Sequence, residues 1–242
     1  MARQDKLFEE GNVSGLPFSF NQEVTEVFED MIDRSVPGYT TSLNIIQQQT
    51  KKHFIEQTTI YDLGCSLGAS TTALLNAVHE NFKIIAIDSS ESMIKACQNR
   101  FKKQMQADQV HFLNEDVLDS EINNASVVVI NFVLQFIKIT DRSKLFRKIH
   151  KGLVPGGILI LSEKVHFNSQ RQTKEVSDIY HSFKHTNGYS ELEISSKRDS
   201  LEGVLITETE DKHLARAKDS GFKNPEKLMS NLNFLTYKFE KK

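Results

Sequence analysis

Short apolar runs alternate with longer amphipathic stretches through the middle of the chain. Between the runs, apolar residues recur at helical spacing, as Leu74 and Val78 do, and a helix that carries Leu145 is predicted to stop at Pro155–Gly157. Near-continuous apolar strands that alternate with helices are typical of a parallel sheet covered on both faces. The chain is therefore predicted to form a doubly wound α/β domain from about Thr58 onward. Five runs predict its first strands: Thr58–Leu63, Lys83–Asp88, Val110–Leu113, Ser126–Asn131 and Ile158–Leu161.

Two segments lie outside this alternation. Ahead of the first strand, Val24 and Val27 follow helical spacing until Ser35–Tyr39 breaks the helix, and a second helix is predicted from about Ser42. After the fifth strand, a polar and mostly helical stretch contains the turn Asn187–Ser190. Beyond it we predict one helix and two short strands. The expected organisation is a single domain in four parts: a helical extension (1–57), a core (58–163), a helical insertion (164–207), and a C-terminal helix with strands (208–242).

The composition narrows the class of protein. Of the 242 residues, 38% are hydrophobic and 26% are charged, and the formal net charge is −2. The chain has no excess of positive charge of the kind that would indicate nucleic-acid binding. No apolar run approaches the roughly 18–20 residues that a membrane-spanning helix needs. Because the two cysteines argue against a disulfide framework and fit a reducing compartment, we expect a cytoplasmic protein without membrane or direct nucleic-acid contacts.

A glycine-rich turn, Asp62–Gly68, follows the first strand. Glycine lets the backbone adopt positive φ and approach a ligand closely, as predicted for Gly64. The helix that follows offers unpaired N–H groups, which suit an anionic ligand. The turn is neither a full dinucleotide fingerprint nor a phosphate loop, so a purely structural turn is the alternative at this point.

An acid ends the second strand. Asp88 lies 24 residues beyond Gly64, and an acid near that separation can accept both hydroxyls of a ribose. The alternative is a helix N-cap. Asp116 follows the third strand and Asn131 ends the fourth, where the same crevice is expected. Four strand ends that fit one ligand favour a ribose-bearing molecule across the carboxyl edge of the sheet.

No metal site is predicted. His181 and His185 have helical i, i+4 spacing but lack a third ligand, and the other histidines lie at no ligand-pair spacing. Cys65 is a candidate for a catalytic nucleophile. A backbone contact at a strand end explains its position, and no neighbouring base supports that chemistry.

Five features match, in order, the motifs of one superfamily: the glycine turn, Asp88, Asp116-Val117, Asn131 and Leu153–Gly157. Over about residues 58–240 the chain resembles the class I S-adenosylmethionine-dependent methyltransferases. The resemblance implies their Rossmann-like fold, a seven-stranded and mostly parallel sheet. In most such enzymes a third glycine stands where this chain has Ser66.

Longer runs match a narrower family, and they lie at Arg34–Tyr39, Asp62–Ser66, Asn131–Phe136, Leu161–Lys164, Asn187–Ser195 and Lys197–Arg198. In these runs the chain resembles the carboxy-S-adenosyl-L-methionine synthases. The resemblance implies that S-adenosyl-L-methionine and prephenate become carboxy-S-adenosyl-L-methionine and phenylpyruvate. The sulfonium-activated methyl group is deprotonated to an ylide, which captures carbon dioxide released from prephenate. Prephenate itself can supply the base, so the protein's task is positioning and charge stabilisation.

The resemblance also implies a role for each site residue. Arg198 is the expected catalytic residue, because a guanidinium can hold the added carboxylate through two hydrogen bonds. The alternative is that Arg198 is a solvated helix residue beside Lys197. Tyr39 is expected to reach the ligand from the preceding Pro-Gly turn. The remaining contacts are expected from Gly64, Cys65 and Ser66 (methionine part), Asp88 and Ser89 (ribose), Asp116 and Val117 (adenine), and Asn131 (crevice floor).

Partners follow from the same resemblance. It implies a homodimer, and a functional link to a tRNA carboxymethyltransferase that uses the product on wobble uridine. Whether Arg198 serves its own subunit or the neighbouring one stays open. Two other functions also stay open: a methyltransferase acting on an unknown small molecule, and a non-catalytic nucleotide-binding module. Ser66 together with Arg198 favours the synthase over both.

Overall fold

The computed structural model describes residues 4–9 and 17–242. Its strands are β1 (Thr59–Leu63), β2 (Lys83–Asp88), β3 (Val110–Asn114), β4 (Ala125–Asn131), β5 (Leu153–Lys164), β6 (Lys223–Asn231) and β7 (Phe234–Glu240). They form one sheet in the order β3-β2-β1-β4-β5-β7-β6. The first five strands run parallel, and β7 pairs antiparallel with both β5 and β6. The predicted doubly wound, Rossmann-like class I methyltransferase fold is confirmed.

Helices cover the sheet, and additional helices lie before β1 and after β5. They are α1 (Gln22–Ser35), α2 (Tyr39–His53), α3 (Ala69–Leu75), α4 (Glu91–Arg100), α5 (Lys102–Gln106), α6 (Ile139–Gly152), α7 (Gln170–Thr186), α8 (Glu191–Leu201) and α9 (Glu210–Asp219), with a short 3₁₀ helix at Leu134–Phe136. Helices α1 and α2 precede β1, and α7 and α8 lie between β5 and α9. No helix in the described part of the chain is long and apolar enough to cross a membrane.

Strand β4 shows why the sheet is covered on both faces. Its side chains alternate between two apolar clusters: Val127 and Val129 pack on one face, and Val128 and Ile130 on the other, all fully buried. Alternate strand residues point to opposite faces. Each such burial contributes about 1.5–3 kcal/mol. The near-continuous apolar run in the sequence therefore reflects a central strand that meets no water.

The prediction for Pro155–Gly157 was wrong. Helix α6 ends at Gly152, and β5 begins at Leu153 and runs through the proline and both glycines. The pairing with β4 shifts register there, because Ala125 pairs with Leu153 whereas Val127 pairs with Ile158. Proline and glycine are tolerated at such irregularities. The backbone of Gly156 also donates to the Lys241 carbonyl at 2.8 Å, which keeps the segment in the sheet.

Three other boundaries differ from the predictions. Helix α2 starts at Tyr39 rather than near Ser42, because Gly38 has φ of +79° and its carbonyl accepts from the Ser42 amide at 2.9 Å. Val78 is buried but lies beyond the end of α3 at Leu75. The last two strands have nine and seven residues rather than being short. Strand β7 is central, and all seven of its residues pair with β5, whereas β6 forms the edge of the sheet.

Candidate active site

A cavity of about 940 Å³ opens at the carboxyl ends of the parallel strands. This is where open α/β sheets bind their ligands. Its walls come from the strand ends, from α1 and α2, and from the inserted helices. All ten residues predicted to bind ligand line it: Tyr39, Gly64, Cys65, Ser66, Asp88, Ser89, Asp116, Val117, Asn131 and Arg198. The binding role of each remains a prediction, but the structure brings all of them to one cavity.

The glycine turn adopts left-handed backbone at three positions. Gly64 and Gly68 have φ of +79° and +78°, and Ser66 has φ of +49°. A Cβ atom at Gly64 would lie 2.4 Å from Cγ2 of Val133, so no larger residue fits there. The amides of Gly64 and Cys65 both donate to the Ile87 carbonyl, which fastens the turn to the end of β2. The turn is thus bent tightly enough to bring its backbone to the cavity.

The carboxyl group of Asp88 is held by two backbone amides. Ser66 N–H donates to one oxygen and Ser90 N–H to the other, each at 2.9 Å. Burial raises the pKa of this carboxyl above its usual value, and the two amides oppose that increase. A carboxylate oxygen has two acceptor sites. Each oxygen therefore keeps one position for a ligand hydroxyl, which fits a ribose.

The neighbouring strand ends supply further polar groups. Asp116 accepts the Leu118 amide at 2.8 Å, which fixes the loop after β3. Asn131 donates from Nδ2 to Ser70 Oγ at 3.3 Å. Its Oδ1 atom is buried and accepts no hydrogen bond within the described residues. A buried amide oxygen without a donor is costly, so a ligand donor at this position would stabilise the site.

Tyr39 contributes an aromatic side chain to the cavity lining. It begins α2, directly after the left-handed Gly38, and its ring centre lies 6.3 Å from that of Phe132. A Cβ atom on Gly38 would approach Met229 Sδ at 3.0 Å, so the turn packs closely against β6. Burial raises the pKa of the Tyr39 hydroxyl. Tyr39 is therefore a neutral aromatic contact at any working pH.

Arg198 lines the cavity from α8, but its side chain is 62% exposed. Its Nε and Nη2 atoms both donate to Oδ1 of Asp199, each at 3.1 Å. The guanidinium therefore already contacts one carboxylate, that of its own neighbour. A ligand carboxylate has to compete with Asp199 for it.

The inserted helices are docked onto the end of α1. Tyr180 in α7 donates from its hydroxyl to the Ser35 carbonyl at 2.8 Å. Lys197 in α8 donates to Ser35 Oγ at 3.0 Å and lies 3.8 Å from Asp5. Burial lowers the pKa of Lys197 to about 8, and Asp5 opposes the decrease. The insertion thus forms a wall of the cavity directly beside the turn that carries Tyr39.

Known proteins are similar to this chain over 97% of its length. The chain is 41% identical over 241 residues to the carboxy-S-adenosyl-L-methionine synthase of Photorhabdus laumondii, covering 97% of this chain and 96% of that one. It is 42% identical over 235 residues to the carboxy-S-adenosyl-L-methionine synthase of Escherichia coli K12, covering 97% and 95%. The chain belongs to the carboxy-S-adenosyl-L-methionine synthase family. The methyltransferase domain family also matches this synthase-family chain at residues 60–157.

Solved structures support the fold of this synthase-family member. Human N-acetylserotonin methyltransferase, solved with S-adenosylmethionine, superimposes with a TM-score of 0.59 at 14% identity, covering 91% of this chain and 55% of that one. A Methanococcus maripaludis protein assigned as an S-adenosyl-L-methionine-dependent methyltransferase gives 0.60 at 19% identity, covering 94% and 96%. At such identities the similarity concerns the fold alone. These structures confirm the predicted fold, and the curated relatives confirm the predicted family and transferase class.

Sequence reasoning missed two lysines of this synthase-family site. Lys164, at the end of β5, and Lys184, in the last turn of α7, both line the cavity. Burial lowers the pKa of Lys164 to about 8. It lowers that of Lys184 to about 7, with repulsion from nearby cations as the smaller cause. Lys164 ends the run Leu161–Lys164 that resembles the synthase family, but no ligand role was predicted for it. Lys184 carried no sequence signal, because lysines are common in polar helices.

Proposed function

We propose that the protein is a carboxy-S-adenosyl-L-methionine synthase that converts S-adenosyl-L-methionine and prephenate to carboxy-S-adenosyl-L-methionine and phenylpyruvate. The observation that carries the proposal is its identity of 41% and 42%, over 97% of the chain, to proteins with that synthase name. The cavity supports it, because its lining includes polar groups suited to a nucleoside and cations suited to carboxylates.

The proposed ligand contacts follow the strand order. Asp88 and Ser89 bind the ribose, and Asp116 and Val117 contact the adenine. The unpaired Oδ1 of Asn131 faces a donor of the ligand. The methionine part lies against the turn formed by Gly64, Cys65 and Ser66, and Tyr39 closes the opposite side.

The proposed reaction needs no side-chain base. As the prephenate ring becomes aromatic, prephenate releases carbon dioxide and hydroxide. The hydroxide removes a proton from the sulfonium-activated methyl group and leaves as water, and the methyl carbon then bonds to the carbon dioxide. The chain's own residues orient the two substrates and stabilise charge. Arg198 is proposed to bind the new carboxylate, after the guanidinium leaves Asp199.

The test is mass spectrometry of a reaction with both substrates. We expect a product heavier than S-adenosyl-L-methionine by the mass of carbon dioxide, formed only when prephenate is present. Formation of S-adenosylhomocysteine, independent of prephenate, would instead indicate an ordinary methyltransferase. The Arg198→Ala variant should lose turnover and retain the carboxylated product weakly, with an unchanged circular dichroism spectrum.

We also propose a homodimer, and delivery of the product to an enzyme that modifies the wobble uridine of tRNA. Exposed apolar side chains on the inserted helices, Ile179 and Leu192, each 54% exposed, support a subunit interface. Sedimentation analysis should give a dimer for the native protein and a monomer for the Ile179→Glu/Leu192→Glu variant. A native monomer would contradict the dimer.

A further inference from the structure

Two cations in the cavity have no anionic partner in the part of the chain that the structure describes. Within residues 4–9 and 17–242, neither Lys164 nor Lys184 has an ion pair or a hydrogen bond from its ammonium group to another side chain. Instead, both ammonium groups lie near one aromatic ring. The Nζ atoms of Lys164 and Lys184 are 4.4 Å and 4.6 Å from the centre of the Tyr180 ring. Lys184 is 7% exposed. Two positive charges therefore lie close together beside the Tyr180 ring, without a negative charge to balance them.

Other buried cations of this chain are compensated. Arg142 lies 2.6 Å from Glu208, Lys238 lies 2.8 Å from Glu226, and Lys197 has Asp5 at 3.8 Å. A buried charge is costly unless it is paired. An attraction to the Tyr180 ring supplies only a part of that compensation. The missing partner of the two lysines is therefore expected to be an anion that enters the cavity.

The sheet order places this pair away from the nucleoside end. Asp88 ends β2 and Lys164 ends β5, and β1 and β4 lie between them. At about 4.8 Å per strand, the two ends are about 14 Å apart. The ribose contact and the lysines therefore lie on opposite sides of the turn at Gly64. An anion at the lysines would lie beyond the ligand's sulfonium, where the second substrate has to approach.

The two carboxylates of that substrate have different fates. One loses its charge as it leaves as carbon dioxide, and a fixed cation on it would oppose that loss. The other keeps its charge from substrate to keto-acid product. Buried cations suit the second, because their attraction is present throughout the reaction.

We propose that Lys164 and Lys184, beside the Tyr180 ring, bind the carboxylate of the second substrate that is retained in the keto-acid product, an inference that rests on the synthase activity proposed above. The aromatic ring orients both ammonium groups and offers an apolar surface to the substrate's own ring. Arg198 then remains available for the carboxylate that is transferred.

The experiment measures binding and turnover separately. Calorimetry measures the Kd of phenylpyruvate. The matched ligand is phenylacetone, which has a methyl group in place of the carboxylate. Kinetics follow prephenate at saturating S-adenosyl-L-methionine. The variants are Lys164→Met and Lys184→Met, and Lys174→Met is the control, because Lys174 is an exposed lysine on the same helix as Lys184.

We expect each cavity variant to weaken phenylpyruvate binding and to raise the KM for prephenate by about 10-fold or more, the size of a lost charged hydrogen bond. The Kd of S-adenosyl-L-methionine should change less than twofold, and Lys174→Met should behave as the native protein. Phenylpyruvate binding that the variants do not weaken, or that phenylacetone equals, would overturn the subsite. Absence of the carboxylated product with native protein would overturn the synthase activity alone, since phenylpyruvate binding is measured without turnover.

Discussion

The side chain of Arg34 donates a 2.7 Å hydrogen bond from Nε to the backbone carbonyl of Asn187, 153 residues further along the chain. The same guanidinium lies 3.9 Å from the centre of the Tyr189 ring. Tyr189 in turn donates to Asp5 at 2.6 Å. Asn187 and Tyr189 form the turn between α7 and α8, so Arg34 fastens α1 to the insertion. Arg34–Tyr39 and Asn187–Ser195, two distant runs that resemble the synthase family, therefore contact each other. This contact stabilises a wall of the cavity.

Removal of that contact should loosen the insertion. We expect Arg34→Met to lower the free energy of unfolding by about 1–3 kcal/mol, because the Asn187 carbonyl loses its donor. The measurement is urea denaturation, with hydrogen exchange to locate the change in α7 and α8. Arg171→Ala is the control, since this arginine is on α7 but is 89% exposed. Equal effects of both variants, or faster exchange confined to β1–β4, would contradict the proposed fastening.

The ribose contact can be tested at Asp88. Replacement by Asn keeps the size of the side chain but removes the charge and one acceptor, so one of the two backbone amides at Asp88 loses its partner. The Kd for S-adenosyl-L-methionine should therefore rise about 10- to 150-fold, equivalent to about 1.5–3 kcal/mol. Calorimetry measures the Kd. Asp108→Asn, at an exposed position before β3, is the control for net charge. A Kd within threefold of the native value would remove Asp88 from the ligand site.

Ser66 tests backbone strain in the glycine turn. A non-glycine residue in the left-handed region destabilises the folded state by about 1–2 kcal/mol. Glycine avoids this strain, but it loses more conformational entropy on folding, which offsets about 0.5–1 kcal/mol of the gain. Ser66→Gly should therefore raise the free energy of unfolding by up to about 1.5 kcal/mol, with ligand affinity retained. Gly68→Ala should lower it, because its Cβ would lie 2.5 Å from Phe101 Cε2. A tenfold loss of affinity in Ser66→Gly would instead show that the serine hydroxyl contacts the ligand.

The strand-end residues of the cavity could be predicted because a parallel sheet imposes a rule on them. Apolar runs fixed where β1, β2 and β4 end, and the carboxyl ends of parallel strands meet at one edge. Asp88 and Asn131 therefore had to lie near Gly64, and they line the same cavity. The ribose role of Asp88 came from its separation from Gly64, and the role of Asn131 at the crevice floor came from the family resemblance. Both roles stay predictions.

The rest depended on tertiary contacts that leave no local pattern. Lys184 is one of several lysines in polar helices, and only its burial beside Tyr180 separates it from Lys174. Pro155–Gly157 has the composition of a turn, but pairing with β4 and with Lys241 places it inside a strand. The exposure of Arg198 and its pairing with Asp199 likewise follow from how α8 docks, which sequence spacing does not specify.

The Asp199 carboxylate should weaken binding of the carboxylated product. An exposed ion pair contributes about 0.2–1 kcal/mol, and a product that displaces it loses that amount. Asp199→Asn should therefore bind carboxy-S-adenosyl-L-methionine up to about fivefold more tightly, with unchanged affinity for S-adenosyl-L-methionine. Competition calorimetry compares the two ligands. Weaker product binding in Asp199→Asn would mean that Asp199 positions Arg198 rather than competing for it.

The uncompensated lysines should make the ligand-free protein less stable at neutral pH. An unfolded lysine has a pKa of about 10.4, whereas the folded pKa is about 7 for Lys184 and about 8 for Lys164. Between these values the unfolded chain binds more protons, so these groups make the free energy of unfolding increase as pH rises from about 7 to 10. The cations that act on Lys184 are Lys164, Lys197 and Arg198.

Replacing Lys184 removes its part of that dependence. Lys184→Met should be more stable than the native protein at pH 7, and the difference should shrink by pH 9.5, as followed by urea denaturation. Lys174→Met should show no such pH-dependent difference. Phenylpyruvate should raise the Tm of the native protein at pH 7 and leave that of Lys184→Met nearly unchanged, because a bound anion stabilises only the charged lysine. If the native protein and Lys184→Met showed the same difference in stability at pH 7 and at pH 9.5, the Lys184 ammonium group would already be compensated in the folded chain.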